Sequence, residues 1–238
     1  MDLFLKDKEH LNGDYFVVND SFFAISDRTK SFTGMCEEYS IIEKIRKNED
    51  GFFDFSKSLI DVGSEDGCYA MLLDFNKNYC FEPNKRMCCL IHANMYLKDK
   101  VTNTFVYNVG LGDKDNDFMV FNGFAEKGST IFEPSMDRCE NGIEVVNKMT
   151  LDSYNIKDVG LIKTDTEGFD YFVLKGGIKT IFENDFPPIL FECWHVGSWG
   201  QTQENYDRLL SFLIGIGYDS IFMNWGDNET HLAVKTKR

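Results

Sequence analysis

The chain has 238 residues, 39 acidic against 25 basic side chains, a formal charge of −14 and a pI near 4.7. Its length suits one domain with a core of ordinary size and a small addition. The acid excess argues against a nucleic-acid partner, because phosphate contacts need clustered Lys and Arg, and favours a neutral or cationic ligand. Seven cysteines without a C-x-x-C pair argue against zinc and a disulfide framework. No apolar run reaches about 18 residues and the opening MDLFLKDKEH is too charged for a secretory signal, so a cytoplasmic protein with no membrane span is expected.

Residues 14–25 give two β-rich runs around Asn19-Asp20 and predict a hairpin. Ser31 or Thr33 could cap a helix from about Gly34 to Lys47, on which Met35, Tyr39, Ile42 and Ile45 follow helical spacing. Residues 1–50 are thus read as a hairpin and covering helix, and residues 51–238 as the main domain.

The main domain is organised around LIDVGSEDGCYAMLLDFNKNYCFE, residues 59–82. An apolar run ends in Asp61, a loop with Gly63 and Gly67 follows, and an apolar-periodic segment from Tyr69 to Phe75 predicts a helix. A second strand, Tyr79 to Phe81, ends on Glu82. In a βαβ unit the glycines let the backbone approach a ligand and the acid takes ribose hydroxyls. The spacing is D-x-G-x-x-x-G, and Ser64, Glu65 and Asp66 stand where a pyrophosphate would need free N–H groups. Carboxylates there repel phosphate and tolerate a cation. S-adenosylmethionine, with a sulfonium, an ammonium and no phosphate, fits that loop.

Pro83 and Asn84 start a helix to about Tyr96, and Val101 to Asn108 reads as a third parallel strand. Asn108, in the loop after it, is a candidate contact to the adenine. Asp117–Asn122 and Ile143–Lys148 alternate like strands, and the link between them, residues 123–142, is read as a flap over the substrate side. A short helix at Thr150–Asp152 leads to LIKTDTEGFDYFVLKGG. There an apolar strand from Val159 ends in Asp165, Glu167 follows, and Gly168 opens a helix that Gly176-Gly177 ends. Carboxylates at the carboxyl end of a parallel strand point into the ligand crevice of an open α/β sheet. A fifth strand, Ile189–Cys193, carries Glu192 and is followed by Trp194 and His195; helix 203–214 and strands 218–223 and 231–234 complete the chain.

The segments LIDVGSEDGCY, CFEPN, NVGLGD, KMTLDSY, LIKTDTEGFDYFVLKGG and PPILFE, in that order over residues 58–193, resemble the FkbM family of S-adenosylmethionine-dependent methyltransferases. The resemblance implies an α/β, Rossmann-like three-layer sandwich of the class I methyltransferase type, with a seven-stranded, mostly parallel sheet and one antiparallel strand. It also implies methyl transfer to a hydroxyl, commonly on a sugar or polyketide. Carried over, Asp61, Gly63 and Gly67, with Ser64 in the loop, would cradle the methionine end and Glu82 the ribose, while Asp165 and Glu167 would line the reaction site. The loop residues Ser64-Glu65-Asp66 depart from the family's usual small residue, Asn and apolar residue.

The expected acceptor is a hydroxyl of a sugar or glycan, such as a deoxyhexose. Asp165 is the first candidate for the general base and His195 the second, with Glu167 and Glu192 orienting the sugar or the base. Asp165 and Glu192 could instead hold a Mg²⁺, although no metal site is assigned. Trp194, Trp199 and Phe132 are candidates to stack on a sugar. The chain could also be one domain of a larger glycan-building enzyme. The alternatives are a nicotinamide-dependent oxidoreductase on a Rossmann sheet, methylation of a small molecule other than a sugar, and a module that keeps the fold without activity.

Overall fold

A computed structural model describes residues 15–18, 21–24, 32–121, 144–197, 201–225, 227 and 229–236. Strands β1 (Tyr15–Val18) and β2 (Ser21–Ala24) pair antiparallel around the two residues expected to turn, and helix α1 (Phe32–Lys47) follows. Ser31, residues 123–142 and Trp199 lie outside the described residues.

The main domain then alternates. Strand β3 (Ser58–Val62) leads to α2 (Cys68–Leu72), β4 (Lys77–Phe81), α3 (Lys85–Leu97) and β5 (Thr104–Tyr107). Short strands β6 (Gly110–Leu111), β7 (Asp117–Phe121) and β8 (Glu144–Met149) come next, then a 3₁₀ turn at Leu151–Tyr154 and β9 (Val159–Thr164). Helices α4 (Asp170–Lys175) and α5 (Ile178–Glu183), strand β10 (Ile189–Glu192), α6 (Gln203–Ile216), β11 (Ser220–Phe222) and β12 (Thr230–Val234) finish it.

Seven strands form one sheet in the order β11-β12-β10-β9-β3-β4-β5. Neighbours β10-β9-β3-β4-β5 are parallel, and β12 runs antiparallel to both β10 and β11. This is the expected fold class: α/β, mostly parallel, with one reversed strand. The two additional runs predicted as strands, β7 and β8, join β6 in a separate three-stranded sheet.

The three layers follow from side-chain alternation along buried strands. Leu59, Leu161, Leu190 and Leu232 face one cluster with Ile41, Ile42 and Ile45 of α1, Tyr69 and Met71 of α2, and Ile91 and Met95 of α3. Their neighbours Ile60, Ile162, Phe191 and Ala233 face the other, with Val173 and Leu174 of α4, Ile181 of α5, and Leu209 and Leu213 of α6. The predicted helix 69–75 stops at Leu72 because Leu73 is already extended, at φ −95° and ψ 143°. Leu73 and Phe75 are nevertheless buried, so the apolar pattern runs on past the helix that began it.

Candidate active site

Parallel strands β3, β4, β9 and β10 end at the same edge of the sheet, and the residues singled out in the sequence sit at or just beyond those ends. Gly63 is at φ +71°, and a Cβ on it would lie 1.8 Å from the Asp165 carbonyl oxygen. Only glycine lets the loop after β3 lie directly on the turn after β9. Backbone bonds fix the approach: Gly63 N–H donates to the Phe81 carbonyl at 2.9 Å and Asp165 N–H to the Val62 carbonyl at 3.0 Å. Ser64 is buried and its hydroxyl donates to the Asp61 carbonyl at 2.7 Å. Gly67 starts α2, with Ile91 of α3 3.1 Å from where a Cβ would be.

Glu82 closes the notch on the β4 side. Its oxygens accept the backbone N–H groups of Glu65, at 3.0 Å, and Asn84, at 2.8 Å. Burial pushes this carboxyl up to about 7, against the pull of those two N–H groups. A carboxylate has about four lone-pair sites, so two remain for hydroxyl donors such as those of a ribose. Asn108 is exposed and its amide donates to the carbonyls of Glu82 and Pro83 at 3.1 and 2.7 Å, which fastens the loop after β5 to the end of β4.

Asp61 is fully buried, and neither carboxylate oxygen accepts a hydrogen bond among the described residues. Its counter-charge is Lys163, opposite it in the β3–β9 register and 3.5 Å away. The same ammonium lies 3.5 Å from the Asp165 carboxylate and donates to the Gly63 carbonyl at 2.9 Å. Burial raises the Asp61 carboxyl and Lys163 lowers it. Lys163 thus ties the glycine loop to the strand that carries Asp165. Its charge in an apolar strand was visible in the sequence, but Asp61 and Gly63 lie about a hundred positions upstream and the register that joins them to it was not.

The rim beyond β9 and β10 is acidic. Asp165 keeps 36% of its side chain exposed. Glu167, at φ +54°, is pushed up to about 7 by burial and then by Asp165 and Asp170. Glu192 is driven far above the carboxylate range by burial, with Asp165, Asp170 and Glu167 adding to it. Asp170 was not singled out in the sequence, where it reads as an ordinary first-turn acid. It is 1% exposed and raised to about 6, chiefly by burial, with its Oδ2 accepting the Thr166 hydroxyl at 2.8 Å.

The structure therefore brings Asp165, Glu167 and Glu192 together, while His195 is exposed beyond β10. The histidine tied to the end of β10 is His231 of β12. Asn224 N–H donates to its Nδ1 at 2.8 Å, which leaves the proton on Nε2 to donate to the Cys193 carbonyl at 3.1 Å. Among the described residues no group of three His, Cys, Asp or Glu is arranged to hold a metal, and no helix is long and apolar enough to cross a membrane.

The residues present fit S-adenosylmethionine. Glycine-limited backbone approach, a Glu82 carboxylate with spare acceptor sites and an acidic rim beside the loop suit a cationic, phosphate-free nucleoside. The methyltransferase FkbM domain profile matches residues 61–220. Among solved structures, the FkbM methyltransferase of Methylobacillus flagellatus KT is similar at a TM-score of 0.50 and 16% identity, over 76% of this chain. The chain spans 44% of that protein's length. The precorrin-6y C5,15-methyltransferase of Geobacter metallireducens GS-15 aligns at a TM-score of 0.48 and 12% identity, over 90% of this chain and 94% of that one. An S-adenosylmethionine-dependent O-methyltransferase of Thermotoga maritima aligns at 0.46 and 11%, over 95% and 78%. No curated protein matches the chain in sequence. Because the family profile runs from Asp61 through the end of β10 and on into β11, the chain belongs to the FkbM family of S-adenosylmethionine-dependent methyltransferases.

Proposed function

We propose that the chain transfers the methyl group of S-adenosylmethionine to a hydroxyl of a sugar or glycan. The observation that carries this reading is the contact of Gly63 with the Asp165 backbone, which sets an acidic rim directly beside the cofactor loop. When bound, the cofactor supplies an electrophilic methyl on a sulfonium. The protein's part is to align an acceptor oxygen with it and to take a proton, and alignment carries much of the acceleration.

A neutral hydroxyl needs a base as the new C–O bond forms. Asp165, with 36% of its side chain exposed, is open to the incoming hydroxyl and serves as its base. Glu167, held at about 7, titrates where a proton-accepting group is most effective at neutral pH. Glu192 orients the acceptor. His195, exposed and outside this cluster, is the weaker candidate for the base.

The reading is tested with methyl-labelled cofactor and a panel of neutral oligosaccharides, with and without EDTA. Label should appear in a glycan ether. Asp165→Asn should lower kcat by about 10²- to 10⁴-fold while S-adenosylhomocysteine binds as before. An unchanged kcat removes Asp165 from the mechanism, and label in none of the oligosaccharides overturns the glycan O-methylation reading.

A further inference from the structure

A cavity of about 20 Å³ lies between the carboxyl end of β10, the start of α4 and the N-terminal half of α6. Asp170, Tyr171, Glu192, Trp194, Asn205 and Arg208 are among the residues that line it. A single oxygen-sized group needs about 10–15 Å³ of such space, so the cavity holds one or two. Three buried polar atoms on residues of its wall have no hydrogen-bond partner among the described residues: Asp170 Oδ1, Glu192 Oε2 and Arg208 Nε. Buried polar groups are nearly always paired, and three orphans around one small cavity point to something that enters it.

The wall is built to hold its shape. The Arg208 guanidinium lies over the Tyr171 ring at 4.6 Å and the Phe172 ring at 5.3 Å, and donates to Asn205 Oδ1 at 2.9 Å. Asp170 is pinned through its other oxygen by Thr166. Asp170 and Glu192 line the cavity and also lie within electrostatic reach of Asp165, so the cavity adjoins the acidic rim.

We propose that this cavity is a specificity subsite that receives a neutral hydroxyl of the acceptor, one adjacent to the hydroxyl that is methylated. The chemistry selects that group. A carboxylate or phosphate entering would face the Asp170 carboxylate, and an ammonium would face Arg208. A hydroxyl donates to a carboxylate and accepts from the Arg208 Nε–H at once. The high proton affinity of Glu192 lets it serve as a second donor. This inference rests on the reading of the acceptor as a hydroxyl compound, and it assigns Asp170 and Arg208 to acceptor selection.

The test uses the full chain loaded with S-adenosylhomocysteine, with methyl α-rhamnoside, methyl α-glucoside and their monodeoxy analogues as probes in ligand-observed NMR. At least one glycoside should bind, and the analogue lacking the inserted hydroxyl should bind about tenfold or more weakly. Arg208→Met, which keeps an apolar stem on Tyr171, should weaken the parent glycoside by a similar factor and erase its advantage over the deoxy analogue. Asp170→Asn should do the same, and retained S-adenosylhomocysteine affinity certifies that each variant is folded; if Asp170→Asn does not fold, Arg208→Met decides. Failure of every glycoside to bind, or wild-type preference for the parent glycoside in Arg208→Met, overturns the subsite, as does a cavity that keeps only an ordered water in the glycoside complex. Methyl transfer is scored separately. Glycosides that bind without being methylated sink the proposed reaction and leave the subsite standing. Glycosides methylated with unchanged KM by both variants do the reverse.

Discussion

Gly63 and Lys163 are the two residues on which the geometry of the site turns. Gly51 is also at positive φ, +67°, yet a Cβ there meets nothing within 4 Å. Gly51→Ala should therefore show only the left-handed backbone penalty, about 1–2 kcal/mol. Gly63→Ala adds an overlap with the Asp165 carbonyl and should lose roughly twice that or more, together with S-adenosylhomocysteine binding. Urea denaturation and calorimetry of the two variants separate strain from collision. Lys163→Met leaves the buried Asp61 without its counter-charge and should destabilise by about 3–5 kcal/mol. Adding Asp61→Asn should recover a large part of that loss; a double variant no more stable than Lys163→Met would mean that the pair contributes nothing specific.

At the level of elements, α3 carries Asn84, whose side chain accepts the Arg86 N–H at 2.9 Å and whose own N–H holds Glu82. Asn84→Ala should lower the urea midpoint by about 1 kcal/mol of stability with an unchanged slope, the usual loss of a helix cap. Elements such as this one were legible because their signals are local. Asp61-x-Gly63, the acid after Phe81, the Pro83-Asn84 start and the Lys163-x-Asp165-x-Glu167-Gly168 turn each announce a bend or a strand end within a few positions. What stayed hidden depends on pairing across the sheet. Asp61 and Lys163 face each other through a register that no spacing reveals. Gly110-Leu111 is too short to read as a strand, and it pairs with Lys148-Met149 to draw β7 and β8 out of the main sheet. Arg208 sits within an amphipathic helix, where its neighbours on Tyr171 and Phe172 could not be foreseen.

Over the whole molecule, burial has raised several acids at once: Glu82 and Glu167 to about 7, Asp170 to about 6, and Glu192 beyond them. Between the ordinary carboxyl range and those values the folded state binds more protons than the unfolded one, so stability falls as pH rises. For Glu82 alone, carried from 4.5 to about 7, the loss is on the order of 3 kcal/mol. Urea midpoints measured from pH 5 to 8 should decline across that span, and Glu192→Gln should be more stable than the wild type at pH 8. A flat profile in the wild type would show that these acids do not hold their protons. A cation bound beside the rim should flatten the decline.

Synthesis runs from the N-terminus, and it delivers β10 and β11 before the strand that separates them. Until residues 230–234 emerge, Ile189–Glu192 has β9 on one flank and open peptide groups on the other, a ready template for a neighbouring nascent chain. Ribosome-bound chains arrested before Thr230 should therefore be cut readily by protease around β10, and chains extended beyond Thr236 should resist. A chain cut short before Thr230 would leave that side of β10 bare, however complete the glycine loop and the acidic rim before it.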